Sequence, residues 1–147
     1  SIHETDLATY LLGPGTLAWA HARTSGFLDM PSEDIADLGI RHEGGAVSSV
    51  HVDYVTRPRV RVTEIGCEGG LLRLDLFGRR FVEFDSSGTV VTDRVFEGGF
   101  DDDYVEEMRA FLACTRNEAE PRCEGWEALA VLNIALEARR SAGLPTQ

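Results

Sequence analysis

The stretch from Ala46 to Arg94 constrains the fold more than any other part of the chain. From Ala46 to Val55 the side chains divide by parity: Ser48, Val50, Val52 and Tyr54 share one face, and Val47, Ser49, His51 and Asp53 share the other. A period of two is the signature of a β-strand. Further runs follow from Arg59 to Cys67, through Leu72, Leu74 and Leu76, from Phe81 to Phe84 and from Thr89 to Arg94. Tight turns separate the later runs: Glu68-Gly69-Gly70, Phe77-Gly78-Arg79 and Asp85-Ser86-Ser87-Gly88. Short strands joined this way specify an antiparallel meander. Within the run from Arg59 the apolar set moves from even positions (Val60, Val62) to odd (Ile65), which predicts a bulge near Thr63-Glu64.

The flanks follow other periods. A helix from about Glu4 to Leu12 ends at the breaker Gly13-Pro14-Gly15. A strand from Thr16 to Thr24, a loop from Gly26 to Asp34 and an alternating stretch from Asp34 to the turn His42-Glu43-Gly44-Gly45 come next. Near the other end, Asp101 to Asp103 offer capping and dipole-favoured charges to a helix from Tyr104 to about Arg116. Its apolar stripe is Tyr104, Val105, Met108, Phe111 and Leu112. The last helix, about Gly125 to Ser141, is apolar over much of its girth (Trp126, Leu129, Ala130, Leu132, Ile134, Leu136), which predicts deep packing, and Arg139, Arg140 and Gly143 close it. Leu144 to Gln147 are expected to fray. One helix, a run of strands and two helices make an α+β pattern: an open, predominantly antiparallel sheet with helices packed on one face.

At 147 residues the chain has the length of one domain. A net charge of −11 excludes a partner bound through its phosphate backbone, so no nucleic acid is expected. No apolar run reaches the length of a membrane span and no basic-plus-apolar leader is visible. All 14 basic residues are arginine, so no lysine chemistry is available to this chain. Cys67, Cys114 and Cys123 have neither metal-site nor disulfide-framework spacing, and they read as free thiols in a reducing cytoplasm.

Chemistry concentrates in the first helix. His3, Asp6 and Tyr10 lie at i, i+3 and i+7, which puts them on one stripe, with Leu7 and Leu11 beside it for packing. Read from the residues alone, a histidine at a chain start is an exposed cap residue, and Asp6 either orients His3 across one turn or accepts a substrate hydroxyl, or is a first-turn carboxylate favoured by the helix dipole. Arg57 reads as a surface or subunit-contact residue near a strand end. His51 and Asp53 share a face but lack a third ligand at suitable spacing, so no metal site is expected. His21 and His42 carry no functional signal.

Three segments, in this order, resemble the C-terminal domain of the Gfo/Idh/MocA family of NAD(P)-dependent oxidoreductases. His3-Glu4-Thr5-Asp6-Leu7-Ala8-Thr9-Tyr10-Leu11-Leu12-Gly13 looks like the family's H-x-x-D-L-x-x-x-L-L-G helix. Gly45 to Tyr54 running into Glu64-Ile65-Gly66-Cys67-Glu68-Gly69-Gly70-Leu71-Leu72 is similar to its G-x-x-G-x-L segment. The third segment is Tyr104-x-x-Glu107-Met108-x-x-Phe111-Leu112 with Ala128-Leu129-x-Val131-Leu132 and Ala138-Arg139-x-Ser141.

The resemblance implies the family's open, dihydrodipicolinate-reductase-like sheet domain. It implies a parent enzyme whose N-terminal Rossmann domain, absent here, binds NAD or NADP and carries the catalytic lysine. His3 then matches the histidine that assists proton transfer at the substrate hydroxyl. Asp6 and Arg57 become candidate substrate-binding residues, and no cofactor-binding residue is assigned to this chain. The expected substrate is a sugar, polyol or similar hydroxylated small molecule. The expected assembly is a homodimer or higher homo-oligomer formed through the sheet, inactive as an isolated fragment. The alternative is a non-catalytic ligand-sensing or dimerising scaffold of the same fold.

Overall fold

A computed structural model describes residues 2–144. Along it run α1 (Ile2–Leu12), β1 (Gly15–Arg23), β2 (Ile35–His42), β3 (Val47–Asp53), β4 (Val62–Cys67), β5 (Gly70–Asp75), β6 (Arg80–Asp85), β7 (Val90–Val95), α2 (Phe100–Thr115) and α3 (Gly125–Ser141). The expected α+β antiparallel class is present, with the strands divided between two sheets, β1-β2-β3 and β4-β5-β6-β7. The chain falls into two compact units: one combines the segment up to Val55 with that from Arg122 onward, and the other is Thr56–Pro121.

In the first unit α1 stops where the sequence requires. Gly13 takes a left-handed φ of 85° and donates its N–H to the Thr9 carbonyl at 2.9 Å, and Pro14 prevents continuation. Register places Ala20, Leu38 and Val50 in one cross-strand row and Leu17, Ile40 and Ser48 in the next. These rows share one face. Leu38, Ile40 and Val50 there form the core with Ile134 and Ala138 of α3, and Ala8, Leu17, Ala20 and Val52 surround it. Ile40 is 0% exposed, and burial of a side chain this size is worth about 1.5–3 kcal/mol.

Deep packing all round α3 is not found. Its buried residues are Val131, Ile134 and Ala138, at i, i+3 and i+7, while Trp126, Leu129 and Leu132 are exposed. A helix lying on one side of a three-stranded sheet meets it by one stripe only, whatever its other faces carry. The opposite face of the sheet bears Trp19, whose indole lies over Gly39; any Cβ at position 39 would run into that ring. A bulge between Leu17 and Trp19 gives β1 its register.

The second unit is the expected meander. The β4–β5 register runs without interruption from the Val62–Asp75 pair to the Cys67–Gly70 pair, so the bulge expected near Thr63-Glu64 is absent. The parity change has a simpler cause: Val60 precedes the strand, and Val62, its first residue, lies exposed on the face opposite Ile65. The bulge of this sheet lies between Glu83 and Phe84. Helix α2 begins at Phe100, earlier than Tyr104, because the Asp102 carboxylate reaches back to accept the N–H of Gly99 at 2.7 Å. Asp103 holds the Arg79 guanidinium through two bonds of 2.9 and 3.0 Å. The expected apolar stripe of α2 exists, and all five of its residues are exposed. Of the residues expected to fray, 145–147 lie outside the described range; Leu144 donates its N–H to the Arg139 carbonyl at 2.9 Å.

Candidate functional site

Helix α1 has two distinct sides. Thr5 is buried and Ala8 packs against the core, so this pair of small side chains seats the helix. His3, Asp6 and Tyr10 point the other way and are all exposed. The fold therefore presents an imidazole and a carboxylate one helical turn apart on an exposed stripe. Among the described residues no hydrogen bond or ion pair joins His3 to Asp6, and the Thr9 hydroxyl caps the Asp6 carbonyl at 2.9 Å instead. Arg57 lies between β3 and β4, ahead of a cis bond to Pro58, in the second unit; its Nη1 donates to the Thr56 carbonyl at 2.8 Å. The structure thus brings His3 and Asp6 onto one stripe and places Arg57 in the other unit.

Two histidines without a sequence signal are held firmly. His42 is 2% exposed. Its Nδ1–H donates to the Gly13 carbonyl at 2.7 Å, and its Nε2 lies 3.0 Å from the Ser48 hydroxyl. One side chain thereby ties the end of α1 to β2 and β3. The clue in the sequence is parity: His42 falls on the same face of β2 as Leu38 and Ile40.

His51 is on the opposite, outward face. Its Nδ1 lies 2.6 Å from Asp37 Oδ1 and its Nε2 lies 3.1 Å from Asp53 Oδ2. The Asp37 bond, seconded by Asp53, holds the imidazole above its ordinary titration range. Asp37 stands directly across from His51 in the ladder, so cross-strand register, which parity along one strand does not reveal, creates this arrangement.

Other charges fasten the loop before β2. Asp34, 1% exposed, accepts the Ser25 hydroxyl at 2.5 Å and the Ser25 N–H at 2.7 Å, and these bonds hold its carboxyl below the usual range. Glu33 pairs with Arg139 in the last turn of α3 at 2.6 Å. Among the described residues no group of three His, Cys, Asp or Glu side chains is arranged to hold a metal ion. No described helix is long and apolar enough to cross a membrane. An open concavity of about 530 Å³ at the hairpin ends of the second sheet is lined by Cys67, Arg73, Phe84 and Asp85 among others. It contains none of His3, Asp6 or Arg57, and its openness does not suit enclosure of a small ligand.

Comparison with known proteins identifies the fold and the family. The chain is 29% identical to a D-apiose dehydrogenase from Paraburkholderia graminis, an alignment that covers 90% of the chain and 39% of that enzyme. It superimposes on UDP-N-acetylglucosamine 3-dehydrogenase from Acidithiobacillus ferrooxidans with a TM-score of 0.77 at 20% identity, covering 95% of the chain and 44% of that protein. The WlbA dehydrogenase from Bordetella pertussis, solved with NADH and UDP-GlcNAcA, gives a TM-score of 0.62 at 23% identity over 99% of the chain and 44% of that protein. The chain therefore spans less than half the length of these relatives. The family model for the C-terminal alpha/beta domain of the Gfo/Idh/MocA oxidoreductases matches residues 1–143, and the chain belongs to that family.

Proposed function

We propose that this chain is the C-terminal substrate-binding and dimerisation domain of an NAD(P)-dependent oxidoreductase acting on a sugar, polyol or similar hydroxylated small molecule, and that it is inactive as an isolated fragment. The observation that carries this reading is the stripe on α1: His3 and Asp6 stand exposed on a helix anchored from behind by Thr5 and Ala8. The D-apiose dehydrogenase and the UDP-sugar dehydrogenases among the relatives support the substrate class.

The residues present do not make a dinucleotide cradle. Both sheets are antiparallel, so among the described residues no parallel strand feeds a helix N-terminus, and the first turns of α2 and α3 already carry Asp102 and Glu127 on their cap N–H groups. Carboxylates in those places repel a pyrophosphate. In this reading NAD or NADP belongs to a domain outside this chain. The part left to these residues is the substrate. His3 accepts the hydroxyl proton at a ring nitrogen as the carbinol carbon is oxidised. Asp6 and Arg57 bind substrate polar groups. The outward face of the β1–β3 sheet pairs two copies. Three free thiols fit a reducing cytoplasmic setting.

His3→Asn in the intact oxidoreductase tests the reading. The expected result is a loss of about 100-fold or more in kcat with little change in KM, together with loss of the acidic limb of the kcat profile. Unchanged turnover would remove His3 from the chemistry, and an intact protein without dehydrogenase turnover would be the ligand-sensing or dimerising scaffold of the same fold.

A further inference from the structure

We propose that Phe27 and Tyr54 form the apolar wall of the substrate site at the His3 end of the first unit, and that the substrate they fit is a sugar in its ring form rather than an open-chain polyol. This rests on the oxidoreductase reading above and narrows its substrate class.

Chain direction brings the parts together, all of them within the unit made of the segment up to Val55 and that from Arg122 onward. Gly13 and Pro14 reverse the chain, so β1 runs back against α1. His42 and the Glu43 N–H, which donates to the Pro14 carbonyl at 2.9 Å, pin that turn beside the end of β2. The first turn of α1 therefore lies toward the opposite end, where β1 ends, β2 begins and β3 ends. Helix α1 rests against β3 and α3, and the pair of Glu33 with Arg139 draws the last turn of α3 to this same end.

Asp34 fixes both aromatic rings there. Its carboxylate, 1% exposed, accepts the Ser25 hydroxyl and N–H, and Ser25 Oγ in turn accepts the Phe27 N–H at 3.1 Å. The Thr24 hydroxyl closes the same loop on the Ser32 carbonyl at 3.2 Å. Leu28 and Met30 are half-buried, while Phe27 is 83% exposed. The Asp34 carbonyl accepts the Tyr54 N–H at 2.9 Å, which continues the β2–β3 ladder by one residue. Parity puts Tyr54 on the face of Val50 and Val52, the face that α1 covers, yet Tyr54 is 62% exposed. Two rings are thus held in water by a braced backbone, at the end of the unit that carries His3. Fixed presentation lowers the ordering cost of binding, and loops on a rigid scaffold are where binding residues concentrate.

Ligand chemistry follows from this set. A sugar ring offers a flat face of C–H bonds to an aromatic side chain and carries its hydroxyls around the rim, where His3 and Asp6 can reach them. An open-chain polyol has no such face and loses more torsional freedom when bound. Apolar rings with a few polar groups beside them are the ordinary lining of a small-molecule site.

Steady-state kinetics of the intact oxidoreductase on a panel of free aldoses, UDP-sugars and alditols reads the effect. The expected result is preference for the cyclic sugars. Phe27→Ala should raise their KM about tenfold with little change in kcat, Phe27→Trp should keep the wild-type KM, and Tyr54→Leu should raise it several-fold. The unfolding midpoint and the sedimentation coefficient of Phe27→Ala should stay at wild-type values, because the ring is exposed. Preference for alditols, or a wild-type KM in Phe27→Ala or Tyr54→Leu, overturns the wall; if His3→Asn still loses its kcat in that case, the oxidoreductase reading stands without it. A Phe27→Ala protein with altered association or unfolding assigns the ring to packing and also overturns the wall. A wild type that turns over none of the panel overturns the oxidoreductase reading and the wall together.

Discussion

The two sheets of this chain are both antiparallel, yet they are held together by different means. The three-stranded sheet buries Leu38, Ile40 and Val50 under Ile134 and Ala138 of α3, two residues more than 80 positions further along the chain. The four-stranded sheet buries a single hydrophobic residue among those described, Val82. Its order comes from ladders and polar pairs: Arg80 on Asp93, Thr92 on Glu83, Arg79 on Asp103, and the Asp85 carboxylate accepting from Ser87 and Thr89. Exposed pairs of this kind are each worth little, whereas a covered apolar face contributes several kcal/mol. The lesson is that the β-ladder alone does not bury apolar surface; the helix laid across it does.

Truncation of the core should break the comparison most visibly. Ile40→Ala is expected to cost about 2–5 kcal/mol in denaturant unfolding, because it empties a fully buried site beneath α3. Val82→Ala, the matching change in the other sheet, removes about two methyl groups and should cost about 1–2 kcal/mol. Equal losses would show that the second sheet is as well covered as the first. His42→Ala should come next in the first unit. It leaves the Gly13 carbonyl without its donor and should cost about 1–3 kcal/mol, with faster amide exchange at the end of α1 and His42→Asn as a partial rescue.

The smallest effect is electrostatic and has a definite sign. His51 titrates above its ordinary value of 6.5, so its contribution to stability is complete below pH 6.5 and is lost as pH rises through the raised value. With 59% of its side chain exposed, solvent screening limits this to about 0.5 kcal/mol. His51→Gln should therefore destabilise at pH 6 but not at pH 9, and an equal effect at both would remove the assigned cause. Asp34 and Asp85, held low by their hydrogen bonds, act in the opposite sense: their contributions are present above 3.8 and fade as pH falls through the lowered values.

Much of this architecture was legible in the residues because local signals and global fold agree. The breaker at Gly13-Pro14, the parity of β3 and the tight turns of the meander each arise within a few residues, and the fold keeps them. What was illegible depends on partners distant along the chain. Whether Trp126 and Leu129 are covered depends on how much sheet lies beneath α3, which no helical period reports. Val60 mimics an alternation it does not join, because the strand begins only at Val62. The α1 stripe was readable from spacing, whereas the tethering by His42 and the bridging by His51 required knowing which residue stands across the ladder from which.

The contact between Trp19 and Gly39 has a practical consequence. It fixes a fluorophore on the very surface where a second copy is proposed to sit, with no linker or label to perturb that surface. The other tryptophan, Trp126, lies in the first turn of α3 and donates its indole N–H to Glu124 at 2.6 Å. With Trp126→Phe in the background, emission from a single indole would report occupancy of the outward face directly, as a blue shift on association that dilution reverses.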